Sequence, residues 1–246
     1  MLNRFSRTEL LLGEENMSKL AQSKIAIFGI GGVGSYVAEG LARCGIGEFI
    51  LIDSDDISLT NINRQIHALE TTIGQKKTLM MKERILAINP QAKVTTIEKL
   101  YTPESNFFNW NDNYTYIVDA VDDVKAKINL IVNANKHNLP IMSSMGTANK
   151  LDPQKFVITD IYKTHTCPLA RIMRKTLKQQ GIKKLKVLYS TEEPFTNYTV
   201  NFKENTSKDN SPASTRKQPL GSISFVPPIA GLMIAGEIVK DICQIN

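Results

Sequence analysis

Apolar and polar positions alternate with two different periods through the first 160 residues. Lys24–Ile30 is a short apolar run closed by glycines, which predicts a buried strand. From Val33 to Ala42 the apolar positions take helical spacing, and Phe49–Ile52 is a second apolar run, ending in Asp53. Lys76 to Ile88 has a helical pattern carried by Leu79, Met80, Ile85, Leu86 and Ile88, and it stops at Asn89-Pro90. Val94–Ile97 and Tyr116–Val121 read as strands, Val124 to His137 as a helix, and Pro140–Met142 as a strand. Strands alternating with helices predict a mostly parallel sheet with helices on both faces, an α/β Rossmann-like architecture.

The remainder is less regular. Phe156–Ile161 and Lys186–Ser190 are strand candidates. Pro168 to Gln180 reads as a helix, with proline at its start and Gly181 at its stop. Glu193 to Gly221 is rich in Asn, Ser, Thr, Lys and Pro and is expected to be a long mobile loop. Ile229 to Ile242 reads as a closing helix of small and apolar residues. No internal repeat is visible. We expect a single α/β domain over 1–246, with a nucleotide-binding part over 1–160 and a C-terminal extension over 161–246.

Composition narrows the class. The chain has 246 residues, 42% hydrophobic and 22% charged, which fits a soluble globular protein and excludes general disorder. No run of about eighteen apolar residues exists, so no membrane span is expected. Met1 to Gly13 carries Arg4, Arg7 and Glu9 and lacks the apolar core of a secretory signal. Cys44, Cys167 and Cys243 are odd in number and far apart, which argues against a disulfide framework and fits the reducing cytoplasm. Without a CxxC pair, a zinc ribbon of the usual form is excluded. The net charge of +6 is uneven: residues 161–217 hold twelve Lys/Arg against four acids, +8, which leaves −2 elsewhere. A basic region on a near-neutral body suggests a polyanionic partner, although a solvated helix face plus a lysine-rich loop gives the same count.

Gly29, Gly31 and Gly34 meet the G-x-G-x-x-G spacing between a predicted strand and a predicted helix, with Gly32 inside it. The first glycine permits the tight turn, the second lets phosphate approach the backbone, and the third lets helix and strand pack closely. The helix start then offers free N–H groups to phosphate. Asp53 ends the second strand, where an acid can bond ribose hydroxyls. This much leaves NAD and ATP both open. Gly74-Gln75-Lys76-Lys77-Thr78 resembles the tail of a P-loop, but Leu69 stands where its first glycine belongs.

The residues after Asp53 favour ATP. Asn61, Arg64 and Gln65 follow it closely, and Lys77 opens the next helix. A dehydrogenase has little use for an added arginine and lysine near the phosphates, whereas a triphosphate does, because charge builds on leaving pyrophosphate. Asp119 and Asp122 end a later strand, where an acid faces the ligand crevice and can hold Mg²⁺ against phosphate oxygens. Singly, Arg64 and Lys77 read as surface charges, and Asp119 or Asp122 as a helix N-cap.

Taken together, Gly29–Ser35, Asp53 to Gln65, Lys77 and Asp119–Asp122, with Arg4-Phe5-Ser6-Arg7 at the start, resemble the adenylating enzymes of the ubiquitin-activating (E1-like, ThiF/MoeB) superfamily. The resemblance implies an ATP site made of Gly29, Gly31, Gly32, Gly34, Asp53, Asp55, Asn61, Arg64, Gln65, Lys77 and Asp122. Asp53 would bind ribose, Asn61, Arg64 and Lys77 phosphate, and Asp122 Mg²⁺. Catalysis would rest on Arg64, Lys77, Asp122 and Arg7, with Arg7 reaching the ATP site of the other subunit of a homodimer.

Within that superfamily the chain is similar to the tRNA threonylcarbamoyladenosine dehydratase subgroup. It lacks the paired zinc cysteines usual in sulfur-carrier activators. It carries Lys127, Lys163-Thr164, Pro168-Leu169-Ala170-Arg171, Arg174, Tyr189-Ser190-Thr191-Glu192 and Gly221-Ser222-Ile223-Ser224-Phe225-Val226-Pro227. Two departures are Cys167, where the subgroup commonly has Asp, and the long Glu193–Gly221 loop. The subgroup implies ATP-dependent cyclisation of N6-threonylcarbamoyladenosine at position 37 of ANN-decoding tRNA. Lys163, Arg171, Arg174, Lys175 and Lys178 would bind the tRNA, residues 161–246 would serve substrate binding and dimerisation, and a sulfur-transfer partner protein is left open.

Two readings of other kinds stand beside it: an activator of a ubiquitin-like or sulfur-carrier C-terminus, and a nucleotide-sensing or RNA-binding protein without catalysis. A nicotinamide oxidoreductase is a weaker third. Cys44 reads as core, and Cys167 is the cysteine whose basic neighbourhood would lower its pKa. His67, His137 and His165 have no ligand spacing, so no transition metal is assigned. Asp56, like Asp55, also reads as a loop cap.

Overall fold

The computed structural model describes residues 2–195 and 220–245. Most of the expected Glu193–Gly221 loop, including Lys203, Lys208, Arg216 and Lys217, therefore lies outside the described residues. The apolar runs become the strands of one sheet: β1 (Lys24–Phe28), β2 (Glu48–Ile52), β3 (Lys93–Ile97), β4 (Tyr116–Asp119), β5 (Ile141–Ser144), β6 (Phe156–Asp160) and β7 (Lys186–Ser190). Their order is β3-β2-β1-β4-β5-β7-β6. All neighbours run parallel except β6, which pairs antiparallel with β7, Val157 opposite Tyr189. The helices are α1 (Ser6–Leu12), α2 (Glu14–Gln22), α3 (Gly34–Arg43), α4 (Lys77–Ile88), α5 (Val124–Lys136), α6 (Pro168–Gln179) and α7 (Val226–Cys243).

The two-residue period of β1 sets the layers. Ile25 and Ile27 join one core with Val37 and Leu41 of α3, Met81 and Ile85 of α4, and Ile234 and Ile238 of α7. Ala26 and Phe28 join the other with Ala126 and Leu130 of α5 and the aromatic rings of Tyr101, Phe108 and Tyr114. Helix α6 turns Ala170, Met173 and Leu177 onto Val187 and Tyr189 of β7. Each fully buried Ile or Leu adds about 1.5–3 kcal/mol of burial free energy. Small residues bring α3 and α7 together: a Cβ on Gly231 would lie 2.4 Å from the Val33 carbonyl oxygen, and one on Gly40 would lie 2.8 Å from Ala235 Cβ.

Element boundaries differ in places from the sequence pattern. Strand β1 stops at Phe28 because Gly29 takes φ +86° and turns the chain. Helix α7 begins at Val226, ahead of Ile229, because Pro227 and Pro228 sit in its first turn, where no backbone donor is needed. Helices α1 and α2 were not expected; α1 buries none of its residues, so its sequence has no apolar stripe to read. Among the described residues no helix is long and apolar enough to cross a membrane.

Candidate active site at the switch point of the sheet

From β1 the chain winds outward to β2 and β3, and beyond β4 it winds the other way. Strands β1 and β4 are therefore the point where order reverses, and a crevice opens at their carboxyl ends. A cavity of about 620 Å³ lies there. Gly29 fills the notch between the two strand ends. A Cβ on it would sit 2.6 Å from the Ala120 carbonyl oxygen, and one on Gly34 would strike the Gly29 carbonyl. The first and third glycines are thus steric requirements of the turn itself. Gly31 and Gly32 line the cavity, and Gly32 lies under the Arg64 stem: a Cβ there would meet Arg64 Cγ at 3.3 Å and Pro227 Cβ at 3.0 Å.

Asp53 closes β2 and turns back on the glycine loop. Its Oδ2 accepts from Ile30 N–H at 2.6 Å and its Oδ1 from Asp55 N–H at 2.9 Å. Residues 55–57 then pair antiparallel with 74–77, through Ile57 N–H to the Gln75 carbonyl and Lys77 N–H to the Asp55 carbonyl. That pairing carries Lys77 to the cavity wall. Its buried ammonium meets Asp55 Oδ2 at 2.6 Å, while Lys76 pairs with Asp56 at 2.7 Å. Asn61 caps its own turn by accepting from Ser58 N–H at 3.1 Å, and it lines the cavity. Arg64 Nη1 donates to the Thr60 carbonyl and to Asn63 Oδ1, each at 2.9 Å. Both Nη1 hydrogens are thereby used, leaving Nε–H and Nη2 for an anion. Burial lowers the Arg64 pKa, yet a guanidinium stays cationic.

Gln65 lines the cavity, and its buried Oε1 has no hydrogen-bond partner among the described residues. Both ring nitrogens of buried His67 are also unpartnered, as are the Ser35 and Thr78 hydroxyls. Burial first, then the nearby charges of Lys77 and Arg84, lower the His67 pKa to about 4. His67 is thus a neutral ring near Lys77 and Arg84.

The end of β4 departs from the expectation for Asp119. Its carboxylate does not face the crevice but is fully buried, with Lys127 Nζ at 2.8 Å and the Ser143 hydroxyl donating to the same oxygen. Burial pushes the Asp119 carboxyl up, and Lys127, Ser143 and the Val121 amide oppose it. The helix cap is neither Asp119 nor Asp122 but Asp123, which accepts from Ala126 N–H at 2.8 Å. Asp122, on the loop between the anchored strand end and the cap, is exposed and lines the cavity. No side-chain partner holds it among the described residues.

Other expected residues lie elsewhere. Arg7 is exposed on α1 and does not line this chain's own cavity; neighbouring Phe5 packs by Gly45, near the strand starts. On α6, Arg171, Lys175 and Lys178 are exposed opposite the buried Ala170, Met173 and Leu177, and Lys163 is exposed just before the helix. Arg174 is half-buried, and its Nη1 donates to the Thr164 carbonyl at 2.9 Å and to the Thr164 hydroxyl, which leaves Nε–H and Nη2 without a partner among the described residues. Lys186, counted in the basic segment, is paired with Glu237 at 2.9 Å and Asp241 at 2.6 Å on α7. Cys167 is buried among Met145, Met173 and Ile161, away from the basic face. Among the described residues no three His, Cys, Asp or Glu gather as metal ligands. The pattern missed Ser144–Ala148 after β5, which lines the cavity, and Asn63; the amide run Asn61-Ile62-Asn63 was the only signal for the latter.

A doubly wound α/β nucleotide-binding domain, with a glycine loop and with Arg64 and Lys77 in its cavity wall, is the class that this fold and site define. The chain belongs to the ThiF family, whose profile matches residues 5–246. It is 43% identical to the tRNA threonylcarbamoyladenosine dehydratase of Bacillus subtilis, over 99% of this chain and 96% of that protein. The fold is similar to crystal structures of the Escherichia coli tRNA N6-threonylcarbamoyladenosine dehydratase TcdA. Its ATP complex superposes with a TM-score of 0.83 and 32% identity, covering 98% of this chain and 94% of that one. Its AMP complex gives 0.82 with the same identity and coverage.

Proposed function

We propose that this chain is an ATP-dependent tRNA threonylcarbamoyladenosine dehydratase. It cyclises N6-threonylcarbamoyladenosine at position 37 of tRNA by adenylating the threonyl carboxylate. The observation that carries this reading is the likeness to the Bacillus subtilis dehydratase along nearly the whole of both chains. The cavity supports it, because Arg64, Lys77 and Asp122 converge on the glycine loop.

A carboxylate is a poor acyl donor. Transfer of AMP to it releases pyrophosphate and supplies a leaving group. The ureido nitrogen of the same nucleoside then attacks the acyl carbon, closes the ring and expels AMP. An intramolecular attack needs positioning more than an enzyme nucleophile, which suits a cavity with no cysteine among the described residues of its lining. The glycine loop and the start of α3 receive phosphate. Arg64 and Lys77 offset the charge that develops on pyrophosphate. Asp53, which braces the glycine loop, takes ribose. The exposed Asp122, held by no side chain among the described residues, would hold Mg²⁺, which would supply positive charge at the phosphates. The exposed Lys163, Arg171, Lys175 and Lys178 bind the tRNA backbone, while Arg174 shapes the turn before α6. Arg7, outside its own chain's cavity, serves the site of a second copy in a homodimer, and the three free cysteines fit the cytoplasm.

Protein, ATP, Mg²⁺ and tRNA containing the threonylcarbamoyl nucleoside are incubated, and nucleosides are released gently for mass spectrometry. The expected result is loss of one water from that nucleoside only when ATP is present. An unchanged nucleoside, with pyrophosphate exchange appearing only on addition of a carrier protein, would transfer the assignment to carrier activation.

A further inference from the structure

Asn63 joins two parts of the molecule that meet at the cavity. Its Nδ2 donates to the Ser222 carbonyl at 3.0 Å, and its Oδ1 accepts from Arg64 Nη1 at 2.9 Å. Turning the amide over would break both bonds at once. Ser222 belongs to the stretch that runs into α7, and the preceding residue is fixed to Asn149. Gly221 N–H donates to Asn149 Oδ1 at 2.7 Å, and Asn149 N–H returns to the Gly221 carbonyl at 2.9 Å. The Phe195 amide donates to the Asn149 carbonyl at 2.8 Å as well. Asn149 holds φ +55°, a left-handed backbone that asparagine tolerates better than most side chains. It follows Gly146–Ala148, which line the cavity on the β5 side. A hydrogen-bonded bridge therefore runs from that wall through Asn149, Gly221, Ser222 and Asn63 into the Arg64 guanidinium. Pro227, farther along the same stretch, and the Arg64 stem both lie over Gly32, where a Cβ would meet each of them.

We propose that Asn63 is a positioning residue that sets the Arg64 guanidinium according to how the 220–222 stretch is seated on Asn149. This rests on the reading above, in which Arg64 acts on the phosphates. Without Asn63 the Nη1 donor is freed and the fork can turn away from the leaving group. The glycine loop and Lys77 still hold ATP, so the loss falls on turnover and not on nucleotide affinity.

The test compares Asn63→Leu, Asn149→Gly, their double variant and Arg64→Ala. Glycine at 149 keeps the left-handed backbone while removing the amide. ATP Kd is measured without tRNA, and pyrophosphate release with threonylcarbamoyl-bearing tRNA. Each single variant should lose about ten- to hundredfold in kcat, with ATP Kd within about threefold of wild type. The double variant should be no worse than the worse single, since both break one bridge. Multiplying effects in the double variant, or equal losses of kcat and ATP affinity, would overturn the coupling. So would full turnover by Asn63→Leu beside an inactive Arg64→Ala. Full turnover by Arg64→Ala itself would instead overturn the reading of the site on which the coupling rests.

Discussion

His67 is a base placed where it cannot readily hold a proton. The ring is buried, both nitrogens lack partners among the described residues, and Lys77 and Arg84 lie nearby. Its pKa falls from 6.5 to about 4, so between those values the unfolded chain binds a proton that the folded chain refuses. Stability is therefore intact above pH 6.5 and declines as pH falls towards 4. From pH 7 to pH 5 this one group should cost about 2 kcal/mol. Urea unfolding of His67→Leu should show a loss over that interval smaller by about the same amount; parallel losses in the two proteins would refute the assignment. At Asp119 the pair with Lys127 gives a second prediction. Lys127→Met leaves a buried carboxylate without its cation and should destabilise by about 3 kcal/mol in the same assay. Residue identity was legible where chemistry is local. Gly29 and Gly34 follow from spacing, and the structure places both in the turn, whereas the roles of Arg64 and Lys77 come from the family resemblance. Which of Asp119, Asp122 and Asp123 did what was not legible, because it depends on Ser143 and Lys127 arriving from neighbouring elements.

At the scale of elements, the glycine loop and α7 are one packing problem. Helix α3 begins at the loop, and Gly231 of α7 abuts Val33 and Tyr36 at that same start. Gly231→Val would force the helices apart and should lower stability by roughly 1–3 kcal/mol. Because the displaced end of α3 is the phosphate end, calorimetric ATP affinity should weaken with it. Unchanged ATP affinity in a folded variant would separate the two roles. The strands and most helices were readable from periodicity, since each buries a face. Helix α1 was not, because it buries nothing. The start of α7 was hidden by prolines, which end helices in the interior but suit a first turn.

For the whole molecule, the charge count foretold a basic side without saying which cations are free. Lys186 is held by α7, with burial working to lower its pKa and Asp241 and Glu237 keeping it above its ordinary value. Arg174 is bound to Thr164. The exposed cations on α6 are Arg171, Lys175 and Lys178, none of which is in an ion pair among the described residues. Replacing all three by Glu should weaken tRNA binding and reduce the slope of log Kd against log salt by roughly two to three. Filter binding across a salt series would read this, and an unaltered slope would remove α6 from the footprint.

The packing of α7 on α3 also has a temporal side. Strands β1 to β5 and their helices can emerge from the ribosome and begin pairing in order, since each neighbour pair but one is close in the chain. The face of α3 that carries Gly40, however, waits for Ala235. Until the stretch from Val226 onward has been made, an apolar helix face and half of a core stand open to water. The nascent protein is then a client for holding chaperones for longer than its sheet alone would require. A ribosome stalled before residue 226 should carry a chain that proteases cut readily around α3 and that added ATP does not protect.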